Sequence, residues 1–461
     1  MIINRTKIFS LALLLAALNA QLSIASAQGS LTPPGAPAPT MKTLAQIEPR
    51  TDVLTLPIGG LGAYSITQPG SYYLSSNLVS GAGISGIEIK TNDVTIDLGG
   101  FAMIGAGGFR GIFANGSASQ RIRIKNGRLT GYTFGIDCAS LAAVTNVIIE
   151  DVQLVGFGGA GGVGVKAASG LTVRRSLING FNGSSGAALQ AGNYSHLEQC
   201  TAQNNAAGMT VGTDSKLFGC LSVSNNSDGI VAGAGSVVND CICRFNHFNG
   251  FTLGDAVAVS HCTAALNGQE GIVVGNFATM NNSITMSNAD TGITVGNGCN
   301  IFSCAGNGNQ NFGYIGVGGN TIKDCSFTGN VRGIVAYAST VSGCSVRANS
   351  SIGIFVTDNS LVLNNQCDAN GSSGIDAGIY VNGLGNRIEG NTMTGNFVGL
   401  NVAVANNLII RNSARGNTTN YVAVANNKIG TIVAAPNSGA ISGSTGGAGV
   451  GSTDPWANFS F

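Results

Sequence analysis

The chain has 461 residues, a formal net charge of +1, and charged side chains at only 9% of its positions. So sparse a charge offers no broad basic face, which sets aside nucleic acid and anionic lipid as partners. Seventy glycines, with abundant Asn, Ser and Thr, give a polar but weakly charged surface. Such a surface suits neutral or weakly acidic glycans and equally an inert scaffold.

Residues 1–27 read as a secretory signal peptide. Arg5 and Lys7 precede the apolar run from Ile8 to Leu18, and Ala25-Ser26-Ala27 offers a small-residue cleavage site. Cleavage before Gln28 leaves 20 basic against 21 acidic residues. The apolar run is too short to cross a bilayer, and no later segment reaches about 18 uninterrupted apolar residues. The expectation is an exported protein, secreted or periplasmic, with no membrane span.

Residues 28–40 form a Pro-rich linker. Residues 41–85 are expected to cap a series of stacked coils, because an open coil end exposes unpaired strand edges and a cut core. Within and just after this stretch, Gly70 to Leu78 and Val94 to Gly100 read as the first strands.

From about residue 111 to 400 a Gly followed by an apolar residue returns about every 21 residues: Gly208, Gly229, Gly250, Gly271, Gly292 and Gly313 mark the best run. Asn204, Asn225, Asn246, Asn267, Asn288 and Asn309 sit four positions before these glycines. Cys220, Cys241, Cys262 and Cys304 sit nine before theirs. A fixed period in the twenties signals a solenoid. The unit is too short for a helix pair, and the leucine-rich frame is missing. Short segments such as Gly271-Ile-Val-Val-Gly275, bounded by turn formers, predict three strands per repeat. The predicted fold is all-β: a right-handed parallel β-helix over 86–425, with about 13–15 coils of roughly 21 residues.

In such a stack, residues one period apart lie above one another at about 4.8 Å. The Asn column can then form an amide ladder. The Gly column marks positive φ or a close backbone approach. The Cys column is predicted to be core packing rather than a disulfide framework: Cβ atoms about 4.8 Å apart exceed the disulfide range, and 11 is an odd count. With no C-x-x-C pair and no calcium-type nonapeptide, the sequence points to no metal and no cofactor. After about residue 425 the period fades. Residues 426–461 read as a Gly/Ser-rich tail whose aromatic end, Pro455 to Phe461, docks on the last coil.

The Val94-Thr-Ile-Asp-Leu-Gly-Gly100 segment, the Gly-Ile/Val returns and the Asn and Cys columns resemble the right-handed β-helix superfamily of pectate-lyase-like and NosD-like proteins. The leader and the Pro69 to Leu74 segment look like those of exported bacterial β-helix proteins of unassigned function. The resemblance spans roughly residues 50–425 and implies the fold strongly. Its members include polysaccharide lyases, glycoside hydrolases, epimerases, phage tailspikes and noncatalytic surface proteins, so the fold alone does not choose an activity. Of the polygalacturonase pattern only Arg123-Ile-Lys125 is present, outside its context.

Register nominates two polar stripes. Asp228 and Glu270 lie two coils apart, about 9.6 Å along the stack, near the upper limit for an inverting pair of carboxyl groups. Asp240 and His261 lie on adjacent coils, where an Asp could orient a His as a base. Few coils carry the inserted loops that wall an enzyme site; the modest irregularities fall between Gly135 and Gly164 and around Ser372 to Gly378. The favoured expectation is therefore a noncatalytic exported scaffold that binds polysaccharide or a cell-surface glycan. The alternative is a polysaccharide-active lyase, hydrolase or epimerase using an acid/base site on the shaft. The sequence leaves the oligomeric state open.

Overall fold

A single coil, residues 272–292, shows how 21 residues close on themselves. The strand Ile272–Val274 turns both apolar ends inward, and the strands Thr279–Asn281 and Ile284–Met286 each bury only their central residue. We name these strands A, B and C. Each corner uses one residue in the left-handed region followed by one buried residue: Phe277 (φ 59°) before Ala278, Asn282 (φ 48°) before Ser283, and Ser287 (φ 53°) before Asn288. The left-handed residue turns the chain sharply, and the buried residue drops its side chain inside the corner. The alternation of period two then places apolar side chains in the core and polar ones outside.

The computed structural model describes residues 49–59, 64–115, 120–139, 145–157, 161–435, 439–444 and 454–461. The proposed signal peptide, the linker and residues 41–48 of the expected cap lie outside the described residues. Thr51–Phe461 forms one compact unit. It is a parallel β-helix of about 18 turns, each strand pairing in parallel with its counterpart in the next coil. The register follows the sequence period: Ile230, Phe251, Ile272 and Ile293 pair in turn, 21 residues apart.

The number of turns exceeds the 13–15 read from the repeat, and both ends explain why. Coils already stack at Tyr64–Ile66, Gly70–Tyr73 and Leu78–Ser80, ahead of residue 86. There the spacing is irregular, from 23 residues between Tyr64 and Ile87 to 29 between Ile136 and Val165, so the period is blurred. At the other end, Lys428–Ile429, Ile432–Ala434 and Ala440–Gly443 continue the stack past residue 425. The strand Asn458–Ser460 does not lie on the last coil. It pairs with Ser413–Arg415 on one side and Ile432–Ala434 on the other, so it is inserted inside the C stack.

Three ladders hold the corners. In the longest, Asn225 donates from its backbone N (3.2 Å) and Nδ2 (3.0 Å) to Asn246 Oδ1, while Asn225 Nδ2 also reaches the Ala202 carbonyl. Asn246, Asn267 and Asn288 repeat this, so these buried amides are satisfied where a lone buried amide would cost about 1–3 kcal/mol. The first member is Asn205, not the expected Asn204: Asn205 is fully buried and bonds Asn225 Oδ1, while Asn204 is the exposed left-handed residue before it. The step from 205 to 225 is 20 residues rather than 21, which moves the ladder one place. The glycines of the Gly column are not left-handed; a Cβ on Gly229 would meet the Gly250 carbonyl at 2.6 Å and the Asn246 amide at 2.7 Å. Close approach, not backbone conformation, is what keeps them glycine.

All 11 cysteines are free and buried. Cys304, Cys325 and Cys344 send their Sγ to the carbonyl two residues back, as Ser283 does with its hydroxyl. The column then continues as Asn365, Asn391 and Asn412. A third ladder of Ser195, Ser215, Ser236 and, further on, Asn320, Ser339 and Ser360 occupies the remaining corner.

Candidate functional site

The outer face of the A strands carries the richest side-chain chemistry. A strands are three residues long from Met209–Val211 through Ile272–Val274, then lengthen to Ile293–Asn297, Phe312–Gly318 and Arg332–Ala336. The added length widens the sheet locally and supports an open cleft of about 330 Å³, lined by Thr294, Val295, Ile315, Gly316, Val317 and Tyr337.

Glu270 stands at the edge of this cleft. Thr294 Oγ1 donates to its Oε1 at 2.8 Å, and Thr294 itself lines the cleft. Burial raises the Glu270 carboxyl above its usual value; the Thr294 hydrogen bond opposes this, and the charge of Asp290 on the next coil adds to it. Asp228 repeats the arrangement two coils earlier: Thr252 Oγ1 donates to Oδ2 (2.9 Å) and Asn249 N to Oδ1 (3.0 Å). Each carboxylate is thus held by a Thr 24 residues on, which preserves the inter-coil spacing of about 9.6 Å between them. The carboxylate that bears electrostatically on Glu270 is Asp290, which accepts from Asn311 Nδ2 at 3.0 Å.

Asp240 and His261 occupy the left-handed positions of one corner, with φ of 53° and 52°, and both are exposed. Asn239 stands between them. Its Nδ2 donates to Asp240 Oδ2 (2.8 Å), and His261 Nδ1 lies 3.4 Å from its Oδ1. The imidazole therefore faces an amide rather than the carboxylate, which supplies no charge to orient a base.

Four and five coils beyond Glu270, about 19 and 24 Å along the stack, the same face becomes aromatic. Phe355 and Tyr380, paired in register, stack at 5.7 Å with 15° between their planes. The Arg332 guanidinium lies 5.3 Å from the Phe355 ring and 5.9 Å from that of Phe312. The irregularity around Ser372 brings Asp376 to this point: burial pushes its carboxyl up, but Ser351 Oγ (2.6 Å), the Ser372 and Ser373 amides and the Arg332 charge hold it below its usual value. Sequence reasoning missed Asp290, Phe312, Arg332, Phe355 and Tyr380. The column Thr294, Ile315, Val335, Phe355 and Tyr380 runs in register at steps of 21, 20, 20 and 25 residues, so a fixed period of 21 drifts off it before the aromatic pair.

Among the described residues no group of three or more His, Cys, Asp or Glu side chains could hold a metal ion, and no helix is long and apolar enough to cross a membrane.

The coil geometry defines a parallel β-helix protein with a polar and aromatic stripe along one sheet. No protein-family model and no curated protein matches the chain. Among solved structures it is similar to the A-module of the Azotobacter vinelandii mannuronan C-5 epimerase AlgE6, at 13% identity over 78% of this chain and 98% of that one, with a TM-score of 0.34. It is also similar to the tailspike protein 3 of bacteriophage CBA120, at 11% identity over 88% and 70%, TM-score 0.38. A mannuronic acid specific family 6 polysaccharide lyase from the human gut microbiota gives 11% identity over 82% and 88%, TM-score 0.32. These likenesses extend no further than the fold.

Proposed function

We propose that the protein is an exported polysaccharide-binding β-helix that engages a glycan along the outer face of its A strands without cleaving it. The observation that carries this reading is the Phe355 and Tyr380 stack with Arg332 beside it. Aromatic faces set into a rigid sheet offer the apolar surface on which a sugar ring packs, at low entropic cost. Thr294, Asn249 and the carboxylates upstream supply hydrogen-bonding groups to sugar hydroxyls in a line parallel to the stack. Export rests on the leader sequence and is checked by N-terminal sequencing of the mature chain, which should begin at Gln28.

The test is a glycan array followed by product analysis on each hit. Binding that falls about five- to tenfold in Phe355→Ala and Tyr380→Ala, with no change in the ligand, supports the reading; a stacking contact worth about 1–1.5 kcal/mol gives that factor. A second reading is favoured by Glu270, whose raised carboxyl value beside Asp290 is what a general acid requires. Turnover of a hit that disappears in Glu270→Gln would establish that enzyme reading and end the noncatalytic one.

A further inference from the structure

The last eight residues build a second cleft, on a different face from the A strands. In Asn458–Ser460 the polar Asn458 and Ser460 point into the core, fully buried, while Trp456, Phe459 and Phe461 stay outside. Asp454 caps the approach by accepting from Trp456 N at 2.9 Å. Insertion of the strand then fixes the indole: the Arg411 guanidinium lies 4.3 Å from its ring, and Arg411 Nε donates to the Pro455 carbonyl at 3.1 Å. Arg411 is itself held by Glu389, which also pairs with Arg387.

Trp456, Ile410, Leu408 and Arg387 enclose an open cleft of about 370 Å³. Arg387 and Leu408 also line an adjoining, more polar cleft of about 400 Å³ whose other walls include Asn406, Asn426 and Lys428. The two compartments thus join across Arg387. One offers an indole and an aliphatic wall; the other offers amides and an ammonium group. Arg387 and Arg411 both pair with Glu389, and Lys428 lines the polar cleft; with Asp454, which accepts from the Trp456 backbone, three cations stand against two carboxylates.

We propose that the inserted C-terminal strand completes a binding site for an acidic sugar residue, whose ring packs on Trp456 while its anionic group meets Arg387. A pyranose presents both an apolar C–H face and a polar rim, which matches the division between the compartments. The surplus of positive charge selects an acidic sugar over a neutral one. Glu389 takes the Nε and Nη2 edge of Arg387 and holds the guanidinium in place, so the ligand's carboxylate or sulfate ester is met from the Nη1 side.

Trp456 is the only tryptophan in the chain, so intrinsic indole fluorescence of the full-length protein reports this cleft directly. The probes are a uronic-acid tetrasaccharide, a sulfated tetrasaccharide and a neutral tetrasaccharide. The expected result is a saturable change with at least one acidic probe, a weaker one with the neutral probe, and affinity that falls with added salt. Arg387→Ala should weaken the acidic probe about tenfold or more, as loss of a charge-assisted hydrogen bond does. Arg387→Lys should recover part of it, and Phe355→Ala should leave it unchanged. No saturable change with either acidic probe, equal binding of the neutral one, or an Arg387→Ala variant that binds as wild type would each overturn the proposal. Because Phe355 and Tyr380 lie on the other face, failure here leaves the A-face reading standing, and failure there leaves this one.

Discussion

Asn412 and Asn458 are 46 positions apart in sequence yet adjacent in one amide ladder. Asn458 Oδ1 accepts from Asn412 N at 2.9 Å and from Asn412 Nδ2 at 3.2 Å, while Asn458 Nδ2 donates to the Ile409 and Gly430 carbonyls. Every other link of that column joins consecutive coils, as Asn391 joins Asn412. The inserted strand is therefore seated by a side chain of the same kind, in the same role, as the coils that precede it, while Ile432 stands in register on its other side. Tyr421 reinforces it, its one hydroxyl proton shared between the carbonyls of Asn412 (3.0 Å) and Phe459 (2.9 Å).

Asn458→Ala removes an acceptor from two donors and a donor from two carbonyls in a buried place. The expected cost is about 1–3 kcal/mol of local stability. Hydrogen exchange should accelerate in 408–415, 432–434 and 458–461 and stay unchanged through 225–330. Unchanged exchange in the first three segments would show that Asn458 does not hold the strand.

Gly316 lies in a crowded part of the interior. Tyr314 and Phe327 both fill the core, their ring centroids 6.1 Å apart, and a Cβ on Gly306 or Gly313 would meet the Phe327 ring. A Cβ on Gly316 would meet Tyr314 Oη and Asn320 Nδ2, two buried atoms with no hydrogen-bond partner. Gly316→Ala should cost about 1–3 kcal/mol by overpacking. Tyr314→Phe, which removes the hydroxyl, should be neutral or stabilising alone and should recover much of the loss in the double variant. Denaturant melts of the four proteins measure the coupling, and strict additivity would show that the hydroxyl is not the obstacle.

The repeat made the fold legible because the Gly, Asn and Cys columns are three independent readings of one period. It blurred where the physics allows substitution. The Ser ladder went unseen because Ser236 and Ser339 share their column with Val257, Ala278 and Cys299, all equally buried. Beyond Cys344 the column changes residue type: Cys367 is the inward residue of the strand Gln366–Asp368, and the ladder passes through Asn365 instead. Asn204 was chosen over Asn205 because a 20-residue step is invisible when 21 is assumed. In the site, stacking residues in line found Asp228 and Glu270 but not Asp290, which reaches Glu270 diagonally across a corner. It also placed Asp240 above His261 without the left-handed backbone that puts Asn239 between them.

The cysteine ladder makes its own prediction. Burial raises the Cys138 thiol to about 12, with Asp137 adding to the effect, and the remaining cysteines are likewise enclosed. Native protein should therefore react slowly with thiol reagents, and denatured protein should release 11 thiols. At Cys325, whose Sγ accepts from Cys304 N at 3.4 Å, a hydroxyl can take the same role, as Ser283 does for Cys262 N. Cys325→Ser should stay within about 1 kcal/mol of wild type, whereas Cys325→Ala, which leaves that N–H without an acceptor, should cost about 1–3 kcal/mol. Equal melts for the two variants would reduce the column to simple packing.

Glu270 gives a pH signature that separates stability from function. Its carboxyl is raised by burial and by the nearby charge of Asp290, so the folded state favours the protonated form more than the unfolded chain does. The contribution to stability is then fully present below the unfolded value of about 4.3 and is lost as pH rises through the folded value. Glu270→Gln keeps an oxygen for the Thr294 hydroxyl to donate to at Oε1 and removes the charge. The variant should melt above wild type at pH 7, and the difference should shrink toward zero as the pH is lowered past 4. Thermal scans across that range check the sign. A variant that melts below wild type at pH 7 would mean that the ionised carboxylate is a net stabiliser, and Glu270 would then lose its claim to be an acid held in readiness.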